Sequence, residues 1–189
     1  MNIIANTCTS AMVYRDYLKE EYPNPFCWNF IAAEDYFNLI KNFDTLNFEN
    51  FELIKKKENF KFYIKIDNLV EVYYPHYRFD KNKTCIAKIG NDVYYNKMWE
   101  YVVQKYEERT KRMLNKKEEP IFIIGSSNRG QQFTQKEQEK FLELTKYKMF
   151  LFSKYKFEKE IPNNITVINS FNYDNNNSNS VKIIYNIIK

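Results

Sequence analysis

Between residues 51 and 77 the apolar side chains of this chain recur at every second position. On either side they recur three and four residues apart or gather in short unbroken runs. A period of two marks one buried face of a pleated strand, and a period near 3.6 marks a helix. The chain must therefore set a hairpin between two regions in which strands and helices alternate. Phe60, Phe62, Ile64 and Ile66 form the alternating run, Asp67-Asn68 supplies the turn, and residues 69–74 return as a β-rich strand.

The flanks follow the same logic. Residues 3–5 read as a short buried strand. Thr7 then caps a helix carried by Ala11, Tyr14, Leu18 and Tyr22 as far as Pro23, with Cys8 in its first turn. Residues 33–43 form a second helix with Glu34 and Asp35 in its first turn, where the helix dipole favours anions. The longest helical signal is 94–115, with Trp99, Val102, Val103, Tyr106 and Met113 as its apolar stripe. Residues 121–124 read as a fully apolar strand, and Thr134 with Glu137 makes a capping box for a helix to about residue 144. Further strand-like runs lie at 84–89, 147–152, 165–168 and 181–188, and the Asn-rich stretch 174–180 reads as a mobile loop. These elements predict one α/β domain over residues 1–189, with a mixed β-sheet that contains a central hairpin and is covered by helices.

Composition narrows the function classes. With 44% apolar and 18% aromatic residues the chain fills a real core, and 3 Gly and 5 Pro exclude collagen-like and Pro/Gly-rich disordered classes. The 29 basic and 24 acidic residues leave a net charge of +5, with Lys interleaved with Glu. A nucleic-acid binder masses such charge on one face, so no specific nucleic acid is expected, whereas a small anionic substrate suits the surplus. Cys8, Cys27 and Cys85 show no CxxC spacing, and the chain has one histidine. Neither a disulfide framework nor a metal site is expected, and no cofactor is called for. The opening residues lack a basic n-region, and no apolar run approaches the length of a membrane span. The expected location is cytoplasmic.

Residue types that carry chemistry are few. Cys8 at a helix start sits where unpaired N–H groups and the helix dipole favour a thiolate, which makes it the candidate nucleophile. His76 is the only imidazole available as a general acid or base, and Asp80, or alternatively Asp92, would orient it. On the long helix Glu107 and Glu108 have i,i+4 partners in Lys111 and Arg112, while Arg109 has no acid within a turn. Its guanidinium calls for a tertiary carboxylate or a bound anion. Ser126, Asn128 and Arg129 lie in a polar loop after a buried strand, where open α/β sheets bind ligands.

These stretches together resemble a bacterial family of unknown function found with exopolysaccharide and capsule biosynthesis. The likeness runs over roughly residues 2–155. It is carried by Asn6-Thr7-Cys8, Asn24-Pro25-Phe26, Phe30-Ile31, Glu34-Asp35-Tyr36 and His76-Tyr77. It continues through residues 105–113, similar to a K-W-x-x-R-x-x-R-I pattern with Tyr106 in place of Trp, and through residues 121–124 and 148–152. A neighbouring family of papain-like cysteine peptidases shares the Cys and a P-F-D-W segment, rendered here Pro25-Phe26-Cys27-Trp28 with Cys in place of Asp.

The resemblance implies an enzyme of cell-surface polysaccharide assembly, a transferase or hydrolase acting on an anionic sugar or nucleotide sugar. Cys8, His76 and Asp80 would be catalytic, and Arg109, Arg112, Ser126, Asn128, Arg129 and Trp28 would bind substrate. A papain-like peptidase or amidase, with Cys on a helix and His on a strand, is the second reading. A non-catalytic binding or assembly module for the same machinery is the third.

Overall fold

A computed structural model describes residues 1–56, 61–74, 92–125, 133–169 and 177–188. Strand β1 (Asn2–Ala5) leads into α1 (Thr9–Val13), which continues as one π-helical turn over Tyr14–Leu18. Helix α2 (Ala33–Lys41) precedes three strands, β2 (Phe51–Lys56), β3 (Lys61–Ile66) and β4 (Val70–Tyr73). The long helix α3 (Asp92–Lys116) leads to β5 (Pro120–Ile124), α4 (Gln135–Phe141), β6 (Met149–Ser153), β7 (Ile165–Asn169) and α5 (Asn177–Ile188).

The fold is α/β, but its strands divide into two sheets. β1, β5, β6 and β7 lie in that order, every pair parallel, and β2, β3 and β4 form an antiparallel meander. Asp67 and Asn68 turn the β3–β4 hairpin with positive φ values of 50° and 57°, the pair a type I′ turn requires. The expected single mixed sheet is thus two sheets, and a short seam joins them. Ile31 N–H donates to Asn6 O at 2.9 Å, and Phe30 pairs with Tyr73 through two backbone hydrogen bonds of 2.8 and 2.9 Å. The seam is too short to count as a strand, which is why one apolar pattern produced the appearance of one sheet.

Alternation along the parallel strands sorts the core into two faces. Ile3, Ala5, Ile123, Phe150 and Phe152 meet Ala11, Val13 and Tyr14 on one side, together with Val181 and Ile184 from α5. Ile4, Phe122, Ile124, Met149, Leu151 and Ile165 face the other way, onto α2, α3, α4 and the meander. Each such residue withdrawn from water stabilises the fold by about 1.5–3 kcal/mol. Four large tyrosines in these cores each satisfy a buried hydroxyl by donating to a backbone carbonyl. Tyr36 bonds Ile4 O and Ile123 O at 2.8 and 3.1 Å, Tyr14 bonds Met1 O, Tyr74 bonds Pro25 O and Tyr106 bonds Phe48 O.

Three further expectations change. Residues 181–188, expected as a strand, are the body of α5. Val181 and Ile184 are the buried pair, three apart, and the β-branched composition masked that period. Asn177 to Ser180, expected within the mobile loop, form the first turn of the same helix. The first helix stops at Leu18, where Lys19 turns left-handed at φ 56°, and does not reach Pro23. The expected strand at 84–89 lies outside the described residues. The Thr134–Glu137 capping box is present, with the Thr hydroxyl accepting from Glu137 N–H and the Glu carboxylate accepting from Thr134 N–H. Among the described residues no helix is long and apolar enough to cross a membrane.

Candidate functional site at the carboxyl edge of the parallel sheet

β1 and β5 end side by side, Ala5 opposite Ile123. Beyond them the Asn6 side chain bridges the two exits, its Oδ1 accepting from Gly125 N–H at 2.9 Å. Gly125 is required there. Its φ is +78°, and a Cβ on it would lie 2.9 Å from Phe152 O. In an open α/β sheet this carboxyl edge is where ligands bind.

Cys8 sits on this edge as the N-cap residue of α1, one position earlier than its sequence context indicates. It is 6% exposed, and its thiol donates to Asn29 O at 3.7 Å. The helix start was expected to favour a thiolate. Burial instead raises the Cys8 pKa from 9.0 to about 12, and the neighbouring Cys27 adds to the rise. Five residues of α-helix supply little dipole, so desolvation wins and the thiol stays protonated. Cys27 is likewise a free buried thiol, pushed up to about 12 by burial against the opposing pull of Arg109.

The segment that carries Cys27, Trp28 and Asn29 is fixed from four directions. Asn24, fully buried, donates to Asn2 Oδ1 and Ile3 O at 2.8 and 2.9 Å and accepts from Phe26 N–H. Ser10 Oγ of α1 donates to Phe26 O, and the Tyr74 hydroxyl donates to Pro25 O at 2.8 Å. From α3, Arg109 donates to Cys27 O at 3.1 Å and lies over the Tyr22 ring at 4.9 Å. Arg112 donates to Glu21 at 2.9 Å and to Tyr22 O at 3.0 Å. The α3 face that meets this segment runs Val102, Tyr106, Arg109, Met113, so the buried Arg109 occupies a core position of an otherwise apolar stripe. Both arginines, expected as an anion clamp, hold the segment beside Cys8 in place. Trp28 stands at φ 65°, half-buried, with Tyr22 against its edge and Arg15 over its face at 5.2 Å.

Three buried carboxamides complete the edge. Asn6 and Asn29 are fully buried, and Gln138 is 3% exposed. Asn6 Nδ2, both side-chain atoms of Asn29 and Gln138 Oε1 have no hydrogen-bond partner among the described residues. These are four of the seven buried side-chain atoms in that condition. Each costs about 1–3 kcal/mol when left unmade, so their concentration here calls for bonding partners. Asn29 is next to the seam at Phe30, its backbone carbonyl bound by Cys8. Gln138 Nε2 lies 3.9 Å from where a Gly125 Cβ would stand.

His76, Asp80, Ser126, Asn128 and Arg129 lie outside the described residues. The described chain stops at Tyr74, two residues short of His76, with its hydroxyl on Pro25. It stops again at Gly125, one residue short of Ser126, with its N–H on Asn6. Both exits thus lie on the Cys8 edge. Among the described residues no three His, Cys, Asp or Glu side chains gather as a metal-binding group. A separate cavity of about 510 Å³ at the amino edge, lined by Asn2, Phe43, Met113, Pro120 and Tyr147 among others, contains none of the candidate residues.

Asn6 and Asn24 fall within short sequence motifs, whereas Asn29 and Gln138 carry no sequence signal, because asparagine and glutamine are common throughout the chain. No protein-family model and no curated protein matches the chain.

Proposed function

We propose that the chain is a cytoplasmic enzyme of cell-surface polysaccharide biosynthesis that transfers or hydrolyses a group on an anionic sugar or nucleotide sugar. The carrying observation is the convergence at one sheet edge of Cys8, the exit toward His76 and the exit toward Ser126, Asn128 and Arg129, around buried amides that lack protein partners. The ordered motifs from Asn6-Thr7-Cys8 to Arg109 and Arg112 support the assignment to surface-polysaccharide chemistry. Two free buried thiols suit a reducing compartment.

In this reading His76 is the general acid and base, oriented by Asp80. It takes a proton from the attacking hydroxyl, of water for hydrolysis or of an acceptor for transfer. It returns that proton to the leaving oxygen as the bond to the transferred group breaks. Cys8, protonated, is a positioning residue that holds Asn29 through its carbonyl. Arg109 and Arg112 act through the 21–29 segment they fix, and Trp28 and Arg129 supply contacts to substrate. The papain-like alternative needs a thiolate near neutral pH, and the buried Cys8 thiol weighs against it, as does Cys27 in place of an acid.

The test is incubation of the purified protein with a panel of nucleotide sugars, followed by phosphorus-31 NMR of donor loss. Turnover is expected, and His76→Ala should lower it by about 10²–10⁴-fold. Turnover unchanged in both His76→Ala and Cys8→Ala removes the acid/base and thiol roles together. A panel without turnover removes the nucleotide-sugar reading.

A further inference from the structure

The unpartnered atoms of Asn6, Asn29 and Gln138 form a set with a defined chemistry. Asn6 Nδ2 and Asn29 Nδ2 are donors, and Asn29 Oδ1 and Gln138 Oε1 are acceptors. None carries charge. An anion would be met by donors and a cation by acceptors, whereas a set balanced between the two fits a ligand group that donates and accepts at the same atoms. Hydroxyl groups do this, and a planar carboxamide presents its donor and acceptor side by side, as hydroxyls on adjacent carbons require.

We propose that these three amides recognise adjacent neutral hydroxyl groups of a sugar ring, with Asn29 making the paired contact and Asn6 and Gln138 flanking it. The proposal rests on the carboxyl edge being the substrate site, and adds which part of the substrate is read there. The seam fixes the placement. Asn6 is held by Gly125 and Ile31, and Asn29 is held by Cys8 one residue before Phe30. The amides therefore belong to rigid backbone on both sides, as a recognition site requires. A site built to bond a hydroxyl discriminates strongly against a ligand that lacks it, because its polar atoms are then left unpaired.

Two measurements test this. In the unaltered protein, the Asn29 Nδ2 resonances are followed by nitrogen-15 NMR during titration with glucose, galactose, mannose and N-acetylglucosamine, with acetate as the anionic control. At least one sugar should shift them, and its deoxy analogue at the contacted carbon should not. Resonances that no sugar moves, or that only acetate moves, overturn the proposal.

Second, Asn29→Leu removes the amide at similar volume. Where the amide has no protein partner the variant should melt no more than about 2 °C below the parent, or above it, while losing sugar binding. A larger fall, including failure to fold, shows that the amide is bonded within the protein and overturns the assignment. Sugar-induced shifts without turnover would keep this assignment and remove the enzymatic reading. His76-dependent turnover with unmoved Asn29 resonances would do the reverse.

Discussion

The state of Cys8 is open to direct measurement. Its thiol is raised from 9.0 to about 12 by burial. Near pH 7.5 a thiol at 9.0 is about 3% ionised, and one near 12 is about a thousandfold less, a difference on the order of 4 kcal/mol. Alkylation by iodoacetamide, resolved by site with mass spectrometry, should therefore label Cys8 and Cys27 about a thousandfold more slowly than the same cysteines in denatured protein. The same rise fixes a pH dependence. Because the folded value exceeds the unfolded one, the folded protein keeps a proton that the unfolded chain releases above pH 9. The contribution is complete below pH 9 and is lost as pH climbs toward 12, by up to about 1.4 kcal/mol per pH unit for each thiol. Urea unfolding across that range should show stability level at neutral pH and falling above 9. Rapid, selective labelling of Cys8 near neutrality, with a midpoint below 9, would refute the reasoning and restore the nucleophile.

Three other substitutions probe the scaffold of the edge. Gly125→Ala places a Cβ 2.9 Å from Phe152 O at φ +78°, and should cost about 1–3 kcal/mol in urea unfolding. Tyr36→Phe removes the hydroxyl shared by Ile4 O and Ile123 O, and should lower stability by about 1–2 kcal/mol by the same measurement. Arg109→Met should expose the 21–29 segment to limited proteolysis, because its buried guanidinium holds Cys27 O. Arg112→Ala, whose Glu21 partner is exposed, should cost less than about 1 kcal/mol and leave the digestion pattern nearly unchanged.

The elements legible in the sequence are those whose period is unambiguous. The β3–β4 hairpin was marked by its Asp67-Asn68 turn, α3 by a stripe sustained over five turns, and α4 by its capping box. Where β-branched residues crowd a short stretch, as from Val181 to Ile188, both periods fit and packing against α1 decides for a helix. The division into two sheets was not legible because the joining seam is two residues long. At the candidate site, position on a helix start located Cys8, and pairing by spacing located Arg109. Neither predicted its state, because burial of the thiol and docking of the 21–29 segment arise from residues distant in the chain. Asn29 shows the limit most plainly. Nothing local separates it from the many other asparagines, and only its complete burial does.

The bond between Asn6 and Gly125 joins residues 119 positions apart. During synthesis at about 5–20 residues per second, β1 is made on the order of ten seconds before the strand it pairs with. For that interval Ile3 and Ile4 have no sheet to enter, while the meander of β2, β3 and β4 can close on its own local contacts. The half of the molecule that carries Cys8 is therefore assembled last, and a nascent chain halted before Pro120 would contain the cysteine without the edge that surrounds it.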